Sequence, residues 1–447
     1  MTSLVVLDLS FNDLEGPLPA TLGHHFKHSP LRELYLSDNF LTQLSLEKIL
    51  PQLSELVVLD VAGNYLNGVI TEAHLQNFTR LKVLDLSLNE LILNASSNWI
   101  PNFQLESINL GNCQMGPRFP QWPQNQNRIL KLDMSNASIS GTVPDWFWYI
   151  SSSMEHLFLH YNQLRGELPN LSSKVTLLTL VISGNEFEGH LPQFPSTIET
   201  LNLFNNQFSG SLPDCRTYGQ ILVYLSLAYN QLSGKIPESI GHLINLKWLF
   251  LNYNSLSGEI PQSLQSCTSL VVLALGKNAL SGSIPTWLGE SFKNLQGISL
   301  HHNAFEGNTP VQLCQLRHLN YLDFSFNLLS GPIPLCIHNF LQMVGKEGEH
   351  SVHSLDASYT KDELKSQMWI WSSVKYGPLF KTMDLSHNML SGEIPREVTS
   401  LIGLTHLNLS YNYLKGSYSL LYWGHEIVVL SRFIKQPAFW HYSSQRF

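Results

Sequence analysis

The stretch LKWLFLNYNSLSGEIPQSL, residues 246–264, carries the pattern that decides the fold. Its leucines at positions 249 and 251 alternate with aromatic residues, which is the period-2 pattern of a short strand with one buried face. Asn254 follows, then the letters LSGEIP, and nearly the same text returns 24 residues later. The stretch therefore predicts that this strand is one member of a stacked array.

The pattern L-x-x-L-x-L-x-x-N recurs in sixteen units, with an anchor position at the end of each. Thirteen of the fifteen spacings between anchors fall between 23 and 27 residues, one is 21 and one is 61. Fixed self-similarity at this length is the signature of a leucine-rich repeat solenoid, in which neighbouring coils must stack to bury their leucines. The anchors are Asn12, Asn39, Asn64, Asn89, Cys113, Ala137, Asn162, Asn185, Asn206, Asn230, Asn254, Asn278, Asn303, Asn327, Asn388 and Asn412.

The anchor asparagine is expected to turn inward, where its amide can hydrogen-bond backbone groups of its own turn and of the adjacent coil. Cys113 stands at one anchor position, and its small thiol fits the same slot. Ala137 stands at another and has no polar side-chain atom, so water or a local distortion must serve there.

A second motif, G-x-[ILV]-P, follows ten of the anchors. Glycine permits a positive φ at a turn, and proline fixes φ and removes a donor at a sheet edge. The fold class predicted is an α/β-type leucine-rich repeat solenoid of about sixteen repeats. We expect short parallel strands on a concave face and a 3-10 or irregular convex side. The glycines are Gly16, Gly141, Gly166, Gly189, Gly210, Gly234, Gly258, Gly282, Gly331 and Gly392.

The full motif, L-x-x-L-x-L-x-x-N-x-L-x-G-x-[IL]-P over about residues 4–416, resembles the plant-specific class of extracellular leucine-rich repeats. The 61-residue spacing contains one repeat and about 37 further residues. An insert at this place, preceded by LCQL at Cys314 and IPLC at Cys336, resembles that of plant receptor-like proteins. The returning text VKYGPLFKTMDLSHNMLSGEIP is similar to the segment that follows the insert in that family.

The resulting domain prediction has four parts. Residues 1–342 carry repeats 1–14, and residues 343–376 form a non-repeat insert, called the island. Residues 377–416 carry repeats 15 and 16, and residues 417–447 fit no repeat register. Receptor-like proteins also have a signal peptide, cysteine-bearing caps and a transmembrane helix, which this text does not show. We therefore expect a product truncated at both ends, with no membrane-spanning segment of its own.

The resemblance implies a ligand-recognition ectodomain of a cell-surface receptor without a kinase, acting in defence or developmental signalling at the plasma membrane. Such receptors recognise a peptide, protein or cell-wall fragment on the concave face. The island and the terminal repeats help to recruit a co-receptor kinase. Two alternatives stay open: a secreted inhibitor of pathogen cell-wall hydrolases similar to polygalacturonase-inhibiting proteins, and a remnant of a leucine-rich repeat receptor kinase.

Other classes of function are disfavoured by composition and by motif searches. A net charge of −8 and a pI near 6.1 argue against a nucleic-acid or anionic-membrane partner. No phosphate loop, kinase, serine-hydrolase or HExxH motif occurs, so we expect neither an enzyme nor a cofactor. The five cysteines lack metal-ligand spacing, and the adjacent His301 and His302 are interpreted as solvent-facing residues, so no metal site is predicted.

The spacing of two cysteines permits a disulfide bond between consecutive coils. Cys314 and Cys336 lie 22 residues apart on consecutive coils, which permits a disulfide, with two free buried thiols as the alternative. Cys215 and Cys267 are expected to be small core residues. Glycosylation sequons occur at Asn77, Asn94, Asn136, Asn170 and Asn408, of which Asn136 and Asn408 are placed at or on the strand face.

Each strand offers five outward positions, and aromatic residues recur there in columns. Exposed aromatic residues in register on adjacent coils form patches that usually mark interaction sites. The strongest cluster predicted is Trp248 with Phe250 and Tyr224. The ligand-binding candidates are Tyr224, Tyr229, Trp248, Phe250, Tyr253, His301, His302 and Tyr321.

Overall fold

The computed structural model describes residues 3–17, 30–43, 53–174, 176–345 and 381–416, together with the backbone of residues 422–423 and 426–427. The chain forms two compact units, Met1–Ser233 and Gly234–Phe447. Most of the island and nearly all of the last segment, residues 417–447, lie outside the described residues.

The first unit contains ten three-residue strands that follow the leucine pattern, here called inner strands. Within this unit neighbouring inner strands pair in parallel, as in the register Leu34 with Leu59 and Leu59 with Leu84. The inner strands of this unit are Val6–Asp8, Glu33–Tyr35, Val58–Asp60, Val83–Asp85, Ser107–Asn109, Lys131–Asp133, His156–Phe158, Thr179–Val181, Thr200–Asn202 and Tyr224–Ser226.

The second unit contains six described inner strands with the same parallel pairing. They are Trp248–Phe250, Val272–Ala274, Gly297–Ser299, Tyr321–Asp323, Thr382–Asp384 and His406–Asn408. Tyr321–Asp323 pairs directly with Thr382–Asp384, although the island separates them in sequence. The described inner strands of the two units number sixteen, so the solenoid fold and the predicted repeat number are confirmed.

A second set of parallel strands, here called lateral strands, follows the anchors. The sequence predicts turns at the G-x-[ILV]-P motif, but its glycines lie inside these strands, as Gly258 does at φ +82°. Neighbouring coils bring equivalent backbone segments side by side, and their amides and carbonyls pair. The lateral strands are Glu15–Pro17, Phe40–Gln43, Asn67–Ile70, Glu90–Leu93, Ser140–Thr142, Gln163–Glu167, Glu186–His190, Gln207–Ser211, Gln231–Lys235, Ser255–Gly258, Ala279–Ser283, Ala304–Asn308, Leu328–Gly331, Met389–Glu393 and Tyr413–Lys415.

Short helical turns complete the coils, as expected for the convex side. Most start directly after a proline, which cannot donate a backbone hydrogen bond and therefore suits a helix start. The described 3-10 turns are Trp122–Asn125, Asp145–Tyr149, Cys215–Tyr218, Glu238–His242, Gln262–Ser266, Val311–Gln315, Leu335–Asn339 and Arg396–Ser400. The described α-helices are Glu72–Leu75, Trp287–Ser291 and Leu341–Val344. A two-stranded antiparallel pair, Tyr422–Trp423 with Glu426–Ile427, follows the last coil.

The core of each unit is the stack of inward leucines. Leu249, Leu251, Leu273 and Leu275 are all 0 % exposed, and Leu249 pairs in register with Leu273. The inward and outward positions of the inner strands are therefore those that the period-2 pattern predicts.

The anchor asparagines join neighbouring coils in the predicted way. The amide nitrogen of Asn64 donates to the carbonyls of Leu36 on the preceding coil and Val61 on its own coil, at 2.9 and 3.1 Å. Its oxygen accepts the backbone N–H of Leu41 at 3.0 Å. One buried side chain thus satisfies three backbone groups that would otherwise lack partners.

The two substituted anchors behave differently. The thiol of Cys113 lies 3.2 Å from the carbonyl of Leu86, so it replaces one of the asparagine bonds. At the next anchor the backbone carbonyl of Ala137 accepts the N–H of Met115 at 2.9 Å. Ser138 takes a positive φ of 58° immediately after Ala137, which is the predicted local distortion.

Candidate functional site

The outward side chains of the inner strands form a surface, here called the strand face, and the second unit carries its most unusual chemistry. Parallel pairing sets Trp248 beside Val272, and Gly297 beside Tyr321. Neighbouring strands lie about 4.8 Å apart, so a large ring next to a small residue covers it. Val272 is accordingly 4 % exposed although it points outward.

The structure changes the interpretation of the predicted aromatic patch. Tyr224, Phe250 and Tyr321 are only 2–3 % exposed, so they are not the open rings that the sequence predicts. Each is the first or last residue of a three-residue inner strand that pairs with neighbouring strands. Tyr224 is moreover in the first unit, whereas Trp248 and Phe250 are in the second. The expectation of exposed rings is therefore wrong for these three, while their role in ligand binding stays a prediction.

The other candidates are half-buried on the strand face: Tyr229 in the first unit, and Trp248, Tyr253, His301 and His302 in the second. The amine of Lys247 lies 5.8 Å from the centroid of the Trp248 ring, a cation–π distance.

The ring of His301 lies over the backbone of Gly276, where a β-carbon would collide with the imidazole Nδ1. The ring of Tyr253 contacts His301 edge-on, with centroids 6.2 Å apart. Gly276 is therefore small for a packing reason, since it makes room for a ring from the neighbouring coil.

A polar cluster surrounds Asp323 beside this ring. The hydroxyl of Tyr321 donates to Asp323 Oδ2 at 3.2 Å, and the hydroxyl and backbone N–H of Ser325 donate to Oδ1 at 2.7 and 3.1 Å. Burial raises the pKa of Asp323, and its bonds to Ser325 partly offset that rise. A carboxylate is thus held on the strand face at a cost in solvation.

The neighbours Ser299, His301 and Asp323 do not have the geometry of a catalytic triad. The hydroxyl of Ser299 lies 2.7 Å from Nδ1 of His301, and Asp323 Oδ2 lies 3.6 Å from the same nitrogen. A triad needs the hydroxyl and the carboxylate on opposite ring nitrogens, so that the base can relay a proton. The cluster can therefore orient hydrogen bonds but is not built to activate a serine.

A ladder of four stacked rings occupies the outward position immediately before the anchors in the second unit. The members are His302, Phe326, His387 and Tyr411, called the ring ladder below. Consecutive centroids are 4.0, 3.9 and 4.1 Å apart, and the interplanar angles are 20°, 11° and 14°. The ladder continues from Phe326 to His387 across the island.

Sequence analysis selected His302 but not the other three members. His387 and Tyr411 follow the 61-residue spacing, so their place in the column is visible only when strands on both sides of the island are aligned. Phe326 and Tyr411 are 41 % and 61 % exposed, which makes them more open than any of the rings in the predicted cluster.

The imidazoles on this surface are held neutral. Burial lowers the pKa of His301 and of His302 to about 4, and the positive charge of Lys277 adds to both shifts. Burial also lowers the pKa of His387, against the opposing effect of Asp384. At neutral and mildly acidic pH His301 and His302 are therefore uncharged donors and acceptors.

The five cysteines form one disulfide and three buried free thiols. Cys314 and Cys336 form a disulfide with Cα atoms 5.7 Å apart, which joins two consecutive 3-10 turns. Cys113, Cys215 and Cys267 are buried and reduced.

Four of the sequon asparagines have exposed side chains, namely Asn77, Asn94, Asn136 and Asn170. Asn408 is half-buried, and its amide donates to Asp384 Oδ2 and Ser386 Oγ at 2.9 and 3.1 Å. The occupancy of all five stays a prediction.

The described part of the chain contains no cluster of three or more His, Cys, Asp or Glu residues arranged to hold a metal ion. Within the same residues, no helix has the length and apolar character needed to cross a bilayer.

Comparison with protein-family models finds the repeat directly. The Leucine Rich Repeat family model matches residues 3–25, 197–215, 222–243, 245–267, 318–340 and 380–401. Receptor-like protein EIX2 of Solanum lycopersicum is 42 % identical over 151 residues. That alignment spans 33 % of this chain and only 15 % of the relative.

Solved structures of plant receptors have the same architecture. The leucine-rich repeat ectodomain of the membrane receptor kinase GASSHO1/SCHENGEN3 from Arabidopsis thaliana, in complex with CASPARIAN STRIP INTEGRITY FACTOR 2, is 28 % identical with a TM-score of 0.71. The alignment covers 92 % of this chain and 48 % of that one. The Arabidopsis receptor kinase HAESA, in complex with the peptide hormone IDA and the co-receptor SERK1, is 25 % identical with a TM-score of 0.61, over 92 % of this chain and 75 % of that one.

Proposed function

Because the chain is a leucine-rich repeat protein homologous to plant receptor-like proteins, we propose that it is a ligand-recognition segment of such a receptor at the cell surface. Its ligand, a peptide, protein or cell-wall fragment, binds on the strand face. A co-receptor kinase docks near the island and the terminal repeats. The resulting complex signals in defence or development.

The strand face of the second unit is the observation that carries this proposal. Solenoid stability requires the inward leucines and the anchors, but it places no such demand on outward rings. Nevertheless, outward positions there hold Trp248, Tyr253, His301 and the ring ladder, with a half-buried carboxylate at Asp323. Clustered rings with a few fixed polar groups are the usual composition of a recognition surface.

The edge of the terminal repeats supports the second contact. Exposed apolar side chains follow the anchors in three consecutive coils, at Leu328, Met389 and Tyr413, with exposed fractions of 45 %, 42 % and 59 %. They adjoin the exposed ladder rings Phe326 and Tyr411. A patch of this kind favours a protein partner, and the HAESA structure contains both a peptide hormone and a co-receptor.

Ligand binding is tested with the secreted chain against a panel of plant and microbial peptides and cell-wall fragments. We expect at least one member to bind, and we expect Trp248→Ala and Tyr253→Ala each to weaken it about ten-fold, or roughly 1.4 kcal/mol. Tyr149→Ala is the matched control, since this ring is 61 % exposed but lies on a 3-10 turn. Equal affinities for all three variants would remove the strand face from the proposal.

Co-receptor recruitment is tested separately by pull-down with co-receptor ectodomains in the presence of that ligand. Leu328→Ala with Tyr413→Ala, two exposed side chains of that edge, is expected to reduce recruitment while ligand affinity stays unchanged. Phe40→Ala, an exposed ring in the first unit, is the control. Unchanged recruitment by the double variant would exclude this edge as the contact.

A further inference from the structure

Two neighbouring carboxylates lie on the strand face of the second unit without a cationic partner. Asp323 and Asp384 are opposite each other in the parallel register, so their strands are about 4.8 Å apart. Asp384 Oδ1 accepts from the backbone and the hydroxyl of Ser386 at 2.9 and 2.6 Å, and Oδ2 accepts from Asn408 at 2.9 Å. Among the described residues, the only ion-pair neighbour of either carboxylate is His301, whose imidazole is neutral.

Nothing in the described surroundings neutralises this pair. The positive charge of Lys277 affects the neighbouring His301, but this lysine follows the strand Val272–Ala274, which is two strands away from that of Asp323. It forms no ion pair with Asp323 among the described residues. Like charges at this distance repel each other, and burial increases that repulsion. A cation arriving from outside would therefore be favoured by both carboxylates.

A second observation, independent of the charges, also indicates a ligand. Thr382 is 4 % exposed and its hydroxyl has no hydrogen-bond partner among the described residues. It lies opposite Tyr321 in the register and two residues before Asp384, so all three share one face. Buried hydroxyls without a partner are uncommon, because they lose their hydrogen bonds to water and gain none in the protein. A hydroxyl can accept as well as donate, so a donor group of a ligand would give this one a partner.

The surrounding rings narrow the chemistry of that donor. Tyr321 and His301 border Asp323, and the ring of Tyr253 packs against His301. Rings, carboxylates and a free acceptor together match a planar cation that can stack and donate several hydrogen bonds at once. A guanidinium has this form, whereas an ammonium group offers a point charge.

We propose that Asp323, Asp384 and Thr382, bordered by Tyr321 and His301, form a subsite for a basic side chain of a peptide ligand, with arginine preferred over lysine. This inference rests on the proposed function, because it assumes that the strand face binds ligand. It adds the chemical class of that ligand.

The first unit contains a second pair of neighbouring carboxylates, which serves as a comparison for Asp323 and Asp384. Asp60 and Asp85 are also opposite each other in the register, and Asp85 accepts from Asn109 at 2.9 Å as Asp384 does from Asn408. At the positions of Tyr321 and Thr382, however, this pair has Val58 and Val83. It therefore has paired carboxylates without the free hydroxyl and without a ring at those two positions, although Tyr35 lies opposite Asp60 on the other side.

The test is selection of a random peptide library on the full chain, with sequencing of the enriched peptides. The variants are Asp323→Asn, Asp384→Asn and the control Asp85→Asn. We expect wild type and Asp85→Asn to enrich arginine-containing peptides, and the first two variants to reduce that enrichment about ten-fold or more. Thermal melting of each variant verifies folding, and these isosteric changes remove a repulsive charge rather than a packing group.

The remaining outcomes separate the two proposals. Enrichment of peptides without a basic residue, or arginine enrichment that survives in both variants, overturns the basic subsite and leaves the receptor proposal standing. Failure of the wild-type chain to enrich any peptide overturns the subsite together with peptide recognition by this face. As a direct probe, acetyl-arginine amide should bind more tightly than the uncharged isostere acetyl-citrulline amide, and equal binding would overturn the inference.

Discussion

At the scale of single residues, the anchor asparagine is the side chain whose hydrogen bonds join neighbouring coils. Asn388 shows its full set of bonds: its amide donates to Phe324 of the coil before the island at 2.9 Å and to Leu385 of its own coil at 3.2 Å. Its oxygen accepts the N–H of Leu329 at 3.0 Å. A side chain that joins two coils in this way couples their stability.

Replacement of that amide should be costly. Asn388→Ala leaves three buried backbone groups without partners, so we expect the free energy of unfolding to fall by about 1–3 kcal/mol. The measurement is chemical denaturation followed by circular dichroism. Asn12→Ala is the control, because Asn12 is exposed and, among the described residues, its side chain bonds only the carbonyls of Leu9 and Ser10 in its own coil. Equal losses in the two variants would contradict the coupling role.

Histidine burial makes stability depend on pH. Burial alone lowers the pKa of His160 to about 4, below its ordinary value of 6.5. The unfolded chain therefore binds a proton that the folded chain does not bind. This histidine thus lowers the free energy of unfolding progressively as pH falls from about 6.5 to 4, by roughly 3 kcal/mol in full. His160→Gln should flatten the decline in melting temperature over that range. His242→Gln, at an exposed position, should leave the decline as it is.

The sequence predicted residue roles well where the motif itself carries them. The anchors, the thiol at Cys113 and the distortion at Ala137 follow from the chemistry of one position. The burial of Tyr224, Phe250 and Tyr321 does not, since it depends on which side chains stand on neighbouring strands more than 20 residues away. The ring ladder was incomplete for the same reason, because the island separates two of its members from the rest.

At the scale of elements, the lateral strands are the part of the fold that the sequence did not predict. Their motif contains glycine with positive φ followed by proline, which is typical of a turn in an isolated segment. Stacking overrides that preference: Gly210 lies in a strand at φ +80° and pairs with Leu232 of the next coil. The pairing partner is supplied by the repeat and not by local sequence.

The disulfide acts at this scale, since it joins the turns Val311–Gln315 and Leu335–Asn339. Closing a loop with a sequence separation of 22 residues restricts the unfolded chain, which corresponds to about 3 kcal/mol of stability. We expect a reductant, or Cys314→Ser with Cys336→Ser, to lower the melting temperature of the second unit. Cys267→Ser is the control for loss of a buried thiol. A melting temperature insensitive to both reduction and the double variant would contradict this role.

At the scale of the whole molecule, stability is shared between neighbouring coils, so a coil with one neighbour is held less firmly. Among the described residues the strand Val6–Asp8 pairs on one side, and Val5, Val6 and Phe11 around it are 43 %, 46 % and 76 % exposed. The strand Val83–Asp85 pairs on both sides, and its Leu84 is 1 % exposed.

Hydrogen exchange should reveal that difference. In the 447-residue chain, amides of Val6–Asp8 are expected to exchange at least about ten-fold faster than those of Val83–Asp85, because the described pairing of Val6–Asp8 comes from one neighbouring strand instead of two. Mass spectrometry of peptides covering the two strands makes the comparison. Equal protection would mean that the first unit opens as a single cooperative block.

The direct pairing of Tyr321–Asp323 with Thr382–Asp384 has an evolutionary consequence. The segment that contains the island leaves one coil and returns to the neighbouring coil, so its two ends stay close whatever its length. Doubling the length of such a segment adds only about 0.6 kcal/mol of closure entropy. Evolution can therefore change the length and sequence of the island while the rings of Phe326 and His387 stay 3.9 Å apart. The island and the strand face can thus diverge at independent rates.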